Sequence, residues 1–357
     1  MGGFMGERMQ SVWKKAFYWI TLVGLAWFVL LLMACSSSTE QQIIFVSESD
    51  GDQEIFLLDM GSGNAIQLTN NSAQDFSPIW SDDREKIAYL TDESRNLEIN
   101  QINRNGEAKT RLTRGERINA NDSAAWSPNG DRLAFVSQRE SISGASNPEL
   151  YVLEPNRGNP TRITFNQAQD RLGDWSPDGE WLVFYATDAN SEPGLWLRNP
   201  SGVNLIQLTQ GRDTEAVWSP DGERIAFVRT KDDNVDIYLV AKSNPGTWRD
   251  PVQELRLTQV PESDASPDWS PDSKLLAFVS YRDGNAEIYT MRADGARQQR
   301  LTNNRQDDLD PVWSPDGRKI AFVSYLYGPG EIFVTDADGS NQQRLTNNNA
   351  EEHSPDW

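Results

Sequence analysis

The chain has 357 residues, with 53 Asp and Glu against 33 Lys and Arg for a net charge of −20, one His and one Cys. A single Cys excludes an intramolecular disulfide framework and any Cys-rich zinc site, and a single His (His353) argues against a Ser-His-Asp hydrolase or a multi-histidine metal centre. The acidic balance argues against nucleic acid, whose phosphates need basic patches. Only 37% of the residues are hydrophobic, but they include 13 Trp, 13 Phe and 9 Tyr gathered in short β-branched and aromatic runs, the pattern of a folded chain.

In chain order, Arg8, Lys14 and Lys15 precede an apolar stretch from Ala16 to Ala34 that closes in Leu32-Met33-Ala34-Cys35. Positive charge, apolar run and small residue make the plan of a secretory signal. Its tail resembles a bacterial lipobox, although Met33 stands where a smaller residue is usual. That resemblance implies a signal peptide over residues 1–34 and lipidation of Cys35, with residues 35–42 as a polar tether. An uncleaved membrane anchor is the alternative, because the apolar run can nearly span a hydrocarbon core of ~30 Å. Both place the remainder outside the cytoplasm and on a bacterial membrane, on its periplasmic or cell-surface face.

Beyond the tether one phrase recurs: Trp-Ser-Pro-Asp-Gly, two or three variable residues, then Ile-Ala-Phe-Val-Ser. Its Trp falls at Trp80, Trp126, Trp175, Trp218, Trp269, Trp313 and Trp357, a period of about 45 residues. Each unit carries four β-type runs. In the last full unit they are Asp310–Trp313, Ile320–Ser324, Glu331–Val334 and Gln343–Thr346, with Ser314-Pro315-Asp316-Gly317 as the first turn. The second run is nearly continuous in apolar residues, as a strand buried on both faces would be. A 45-residue period with four short strands predicts an all-β, seven-bladed β-propeller over residues 43–357. Ile43–Ser47 lacks a first strand before it and His353–Trp357 has no strand after it. Paired, they complete one blade and close the ring.

These residues resemble the WD40-like propeller repeats of the TolB family of the Tol-Pal envelope system. The resemblance covers residues 43–357 and implies an extracytoplasmic propeller that binds proteins. TolB itself adds an N-terminal α/β domain with no counterpart here, and its propeller has six blades where seven units are counted.

The repeated Trp residues are read as inter-blade core, and the Glu or Asp that opens each third strand as a turn or edge residue. Five positions before each Trp stand Asp75, Asn121, Asp170, Asp213, Asp264, Asp308 and Glu352. They enter the strand that lines a propeller channel, so they either cap their own loops or form an acidic ring that receives a cation or a basic partner segment. Further contact candidates break the repeat: the long loop Gln138–Pro148, Tyr325 and Tyr327 on the same face, and Trp248 with Arg249 on the opposite face in the inserted loop Lys242–Gln253. Turns such as Asp50-Gly51-Asp52 lack a full calcium-loop pattern and are read as ordinary turns. No catalytic motif is found and no cofactor or metal is expected. The sequence therefore points to a membrane-tethered module that binds or scaffolds envelope proteins. A glycan- or small-ligand-binding propeller is the alternative, and a metal-assisted lyase a more distant one.

Overall fold

The computed structural model describes residues 41–114, 124–138, 147–155, 158–166, 169–186, 193–243, 246–250 and 252–357. The expected signal segment with Cys35, Asn121 and most of the loop Gln138–Pro148 lie outside the described residues. Every regular element among those described is a strand. They form seven four-stranded antiparallel sheets, numbered here as blades 1 to 7 in chain order. The inner strands of neighbouring blades contact one another in an unbroken ring. The molecule is thus the seven-bladed propeller that the repeat predicts.

Blade 1 is the closure. Its inner strand, Glu352–Asp356, pairs antiparallel with Gln42–Ser47, matching Ile44 to Asp356 and Ser47 to Glu352. Glu54–Asp59 and Asn64–Gln67 complete the sheet. The ring is therefore closed by hydrogen bonds between the two ends of the described chain.

Second strands such as Leu133–Ser137 are buried at every position, because each blade covers both faces of its neighbours' central strands. Hydrophobic clusters consequently span two blades. One joins Ala277 and Ile288 of blade 6 to Trp313, Ile320 and Phe322 of blade 7. All the repeated Trp rings but the half-buried Trp80 are buried, as inter-blade core residues should be.

Two repeated hydrogen-bond devices explain the rest of the motif. The outer-strand Thr of every blade (Thr69, Thr113, Thr164, Thr209, Thr258, Thr302 and Thr346) accepts a third-strand backbone N–H through Oγ1 at 2.8–2.9 Å. The Ser of each Ser-Pro-Asp-Gly turn accepts the N–H that opens the second strand, as Ser314 does from Lys319 at 2.9 Å. The turn's Gly supplies the left-handed backbone, with φ of 68° at Gly179 and Gly317.

The acid that opens each third strand differs from the sequence expectation. Glu98, Glu149, Asp236, Glu287 and Glu331 are buried, not turn or edge groups. Each receives an Arg from the outer strand of its own blade: Arg162 to Glu149, Arg256 to Asp236 and Arg300 to Glu287 at 2.6–2.7 Å, with Arg111–Glu98 and Arg344–Glu331 closer still.

Blade 4 breaks the packing rule. Arg198 sits opposite Leu182, the place that five other blades give to Leu58, Ile102, Leu153, Val240 and Met291 and blade 7 gives to Thr335. Burial pulls its pKa down, with Asp170 opposing, and its buried Nε has no hydrogen-bond partner. Arg198→Leu should therefore raise stability by about 1 kcal/mol, readable as a higher melting midpoint. Deleting residues 353–357 removes Trp357 and most of the closing strand. The loss should exceed the ~3–5 kcal/mol of a single buried Trp, and an unchanged thermal midpoint would refute ring closure as a source of stability.

Candidate partner-binding channel

The inner strand of each blade runs toward the channel axis with one irregularity that decides what the channel shows. Pairing slips between Phe76 and Ile79, Leu172 and Trp175, Thr214 and Val217, Ala265 and Asp268, and Leu309 and Val312. In five blades the residue three before the Trp adopts left-handed φ near 50°: Ser77, Glu215, Ser266, Asp310 and Ser354. This bulge reverses the side-chain alternation. The position five before the Trp turns inward to the protein, while the positions three and one before it face the channel.

The predicted acidic ring is therefore a buried collar. Asp75, Asp170, Asp213, Asp264 and Asp308 are 0% exposed and Glu352 is 1% exposed, so none presents its carboxylate to a partner at the surface. In four blades an Asn four residues earlier donates to the acid: Asn71 to Asp75, Asn166 to Asp170, Asn304 to Asp308 and Asn348 to Glu352, at 2.6–2.8 Å. In the other two an Arg does so, Arg229 on Asp213 at 2.6 and 2.9 Å and Arg282 on Asp264 at 3.1 and 3.2 Å. The donors to these acids are side chains, not the backbone N–H groups that loop capping would use.

The channel carries a different set of acids, which the sequence reading passed over. At the deeper level Asp174, Asp268 and Asp356 stand immediately before their Trp. Each accepts the backbone N–H of the next blade's Trp: Trp218 at 3.2 Å, Trp313 at 2.8 Å and Trp80 at 2.7 Å. Burial raises all three pKa values, and the charges of Asp356 and Asp174 both raise that of Asp268, so the three converge across the axis. Nearer the mouth are Glu215 and Asp310, both exposed at their bulges. Both side chains are open to solvent, but the surrounding channel wall displaces enough water to raise both pKa values, and the Asp310 charge adds to the effect on Glu215. His353 faces this sector; burial lowers its pKa while Glu48, Glu351 and Asp310 pull it back up.

Aromatics border the acidic sector. Tyr281 is 41% exposed and feels the charges of Asp307, Asp310 and Glu215. Tyr325 is half-buried and donates its hydroxyl to Glu351 at 2.7 Å; burial first and that bond second push its pKa to about 12. Tyr327 is 63% exposed, stacks 6.3 Å from Phe333 and lies under the Arg344 guanidinium. Burial raises the pKa of Tyr185 in blade 4, where the Asp213 charge adds to the rise and Arg171 and Arg212 oppose it.

On the opposite face the inserted loop corrects the sequence expectation. Trp248 is 5% exposed and meets Trp218 edge-on at 4.9 Å, with Lys242 over its ring. It is a core plug that anchors the insertion. Arg249 remains exposed beside it.

A ring of blades around an acid-lined channel defines a β-propeller with a channel mouth suited to binding. The chain belongs to the TolB beta propeller domain family, whose model matches residues 34–146, 119–247 and 250–357. It is similar to the TolB homolog of Chlorobium chlorochromatii, with 29% identity over 40% of this chain and 30% of that protein. The chain thus matches about a third of that relative's length. Among solved structures, TolB from Acinetobacter baumannii superposes with a TM-score of 0.55 at 19% identity, covering 88% of this chain and 66% of that one. An oligogalacturonate lyase from Vibrio parahaemolyticus gives 0.68 at 16% identity, covering 84% and 87%. Likeness at these identities shows the fold alone.

The raised carboxyls set a pH dependence. Burial lifts Asp170, Asp268 and Glu352 to about 7 and Asp174 and Asp308 to about 6. Unfolded Asp and Glu titrate near ~3.9 and ~4.3, so between about pH 4 and 7 the folded state holds protons that the unfolded state has released. Stability from these groups is complete below that window and falls as pH rises through it. Carboxylates held low, such as Asp83 by the Ser81 hydroxyl and Asp272 by Lys274, act oppositely at more acid pH. The melting midpoint should therefore fall from pH 5 to pH 8. Asp268→Asn, whose amide oxygen can still accept from Trp313, should flatten that slope, and an unchanged slope would contradict the assignment.

Proposed function

We propose that this propeller is an extracytoplasmic, lipid-tethered module that binds an envelope protein by receiving a basic, extended segment in the acidic half of its channel mouth. The observation that carries this reading is the pair Glu215 and Asp310, exposed at their bulges and backed by the deeper trio Asp174, Asp268 and Asp356. Acids on a low-dielectric wall attract Lys and Arg more strongly than acids on an open surface, and they steer encounter as well as hold the product. Tyr281 and Tyr325 add planar contact area on the same side. The TolB relatives support an envelope setting, and the lipobox-like Cys35 supports the tether. We assign no catalytic role.

Two measurements test the reading. A fluorescent Lys- and Arg-rich peptide should bind the full-length protein in a salt-sensitive manner, and the double variant Glu215→Gln/Asp310→Asn should weaken binding by about tenfold, roughly 1.4 kcal/mol. Asp272→Asn/Asp338→Asn, on the opposite face, removes the same charge and should leave affinity unchanged; equal effects of the two pairs would reduce the result to net charge. Mass spectrometry of the detergent-extracted protein should show a mature chain that begins at an acylated Cys35, and an unmodified Cys35 within an uncleaved chain would favour the anchor.

A further inference from the structure

Five blades solve the same electrostatic problem in the same way. A buried acid opens the third strand, and an Arg on the outer strand, two pairs along, neutralises it: Glu98 with Arg111, Glu149 with Arg162, Asp236 with Arg256, Glu287 with Arg300 and Glu331 with Arg344. In register these arginines lie opposite Asn100, Tyr151, Tyr238, Tyr289 and Phe333. Blade 4 has dropped both partners together, with Gly194 in place of the acid and Gln207 in place of the Arg.

Blade 1 has dropped only one. Glu54 is retained and is 0% exposed, but the residue opposite Phe56 is Gln67. The amide is neutral and donates to Asp50 Oδ2 at 2.9 Å instead of reaching Glu54. Glu54 Oε1 accepts the Asn71 N–H at 2.6 Å, and its buried Oε2 has no hydrogen-bond partner. Asp50 and Asp52 stand in the loop beside this unneutralised acid, with Asn285 at the place of Asp52 in blade 6. Carboxylate oxygens of Asp50, Asp52 and Glu54 all lie within 4.8 Å of one another.

We propose that a divalent cation, Ca²⁺ by its chemistry, takes the place of the missing arginine and is held by Asp50, Asp52 and Glu54. The donors are hard carboxylate oxygens, which suit Ca²⁺ over softer transition metals. Oxygens within 4.8 Å of one another can share one ion at the 2.3–2.6 Å bond length of Ca²⁺. Two of the ligands come from a turn that can adjust, and exposure at Asp50 leaves room for water in the remaining positions. Burial raises the Glu54 pKa, opposed by the Thr69 hydroxyl and the Asn71 N–H and aided by the Asp75 and Asp52 charges, and burial followed by Asp50 raises that of Asp52; a bound cation relieves both rises. The site lies in the loop between the second and third strands of blade 1, the blade that closes the ring, and uses none of the channel acids.

The test uses the full-length protein in detergent, stripped with a chelator and then titrated with CaCl₂ or MgCl₂ while the melting midpoint and binding heat are followed. Wild type should show a saturable rise in midpoint with Ca²⁺ in the ~10⁻⁴–10⁻³ M range of extracellular sites and a smaller response to Mg²⁺. Asp52→Asn should lose the saturable response. Gln67→Arg restores the ion pair of the other five blades, and should raise the calcium-free midpoint while abolishing the calcium response. A Ca²⁺ response equal in wild type and Gln67→Arg would assign the ion to other carboxylates and overturn the proposal, as would the absence of any saturable response in wild type.

Discussion

No blade of this molecule can bury its own central strand. Each sheet is apolar on both faces through Ile, Leu, Phe and Val of its second and third strands, and only a neighbour on each side can cover it. A row of such sheets always leaves two bare faces unless it bends into a circle. Much else follows from that requirement. The Trp that ends each inner strand fills the wedge between blades, and the Thr on each outer strand ties its sheet together through a backbone N–H. The closing strand pairs Asp356 and His353 with Ile44 and Val46.

Packing sheets this closely also forces polar groups into the interior, and the chain deals with them by position. Acids at the start of the third strand receive an arginine; acids at the start of the inner strand receive an asparagine or an arginine; acids before the Trp accept the next blade's backbone. Burial raises the pKa of Asp170, Asp174, Asp268, Asp308 and Glu352, and the hydrogen bonds they accept oppose that rise. Where one pairing is left incomplete, as at Glu54, the departure from the other blades shows it.

The fold was legible because the same physical problem is written seven times in one sequence. Trp, Ser-Pro-Asp-Gly and the apolar second strand fixed the period, the turn and the buried strand, and the unmatched runs at Ile43 and His353 predicted the closure. The channel was less legible. Counting back from Trp in twos places the fifth position before it beside the third and the first, but the left-handed residue at Ser77, Glu215, Ser266, Asp310 or Ser354 reverses the parity. The conspicuous acids thus went inside and the inconspicuous ones, Asp174, Glu215, Asp268, Asp310 and Asp356, came to the axis. A Pro two residues before Trp80, Trp269, Trp313 and Trp357 was the available sign that the inner strand is not regular there. Trp248 misled for another reason: an aromatic in a long loop can serve as the loop's own anchor.

The bulge has an evolutionary consequence. Because it lifts one side chain per blade out of the packed wall, the residue there answers to neither the core nor the sheet ladder. Serine, glutamate and aspartate already occupy it in different blades without altering the strand that carries them. The lining of the axis can be changed one rung at a time, blade by blade, while the architecture is kept. A scaffold of this kind can change what lines its axis without first becoming less stable.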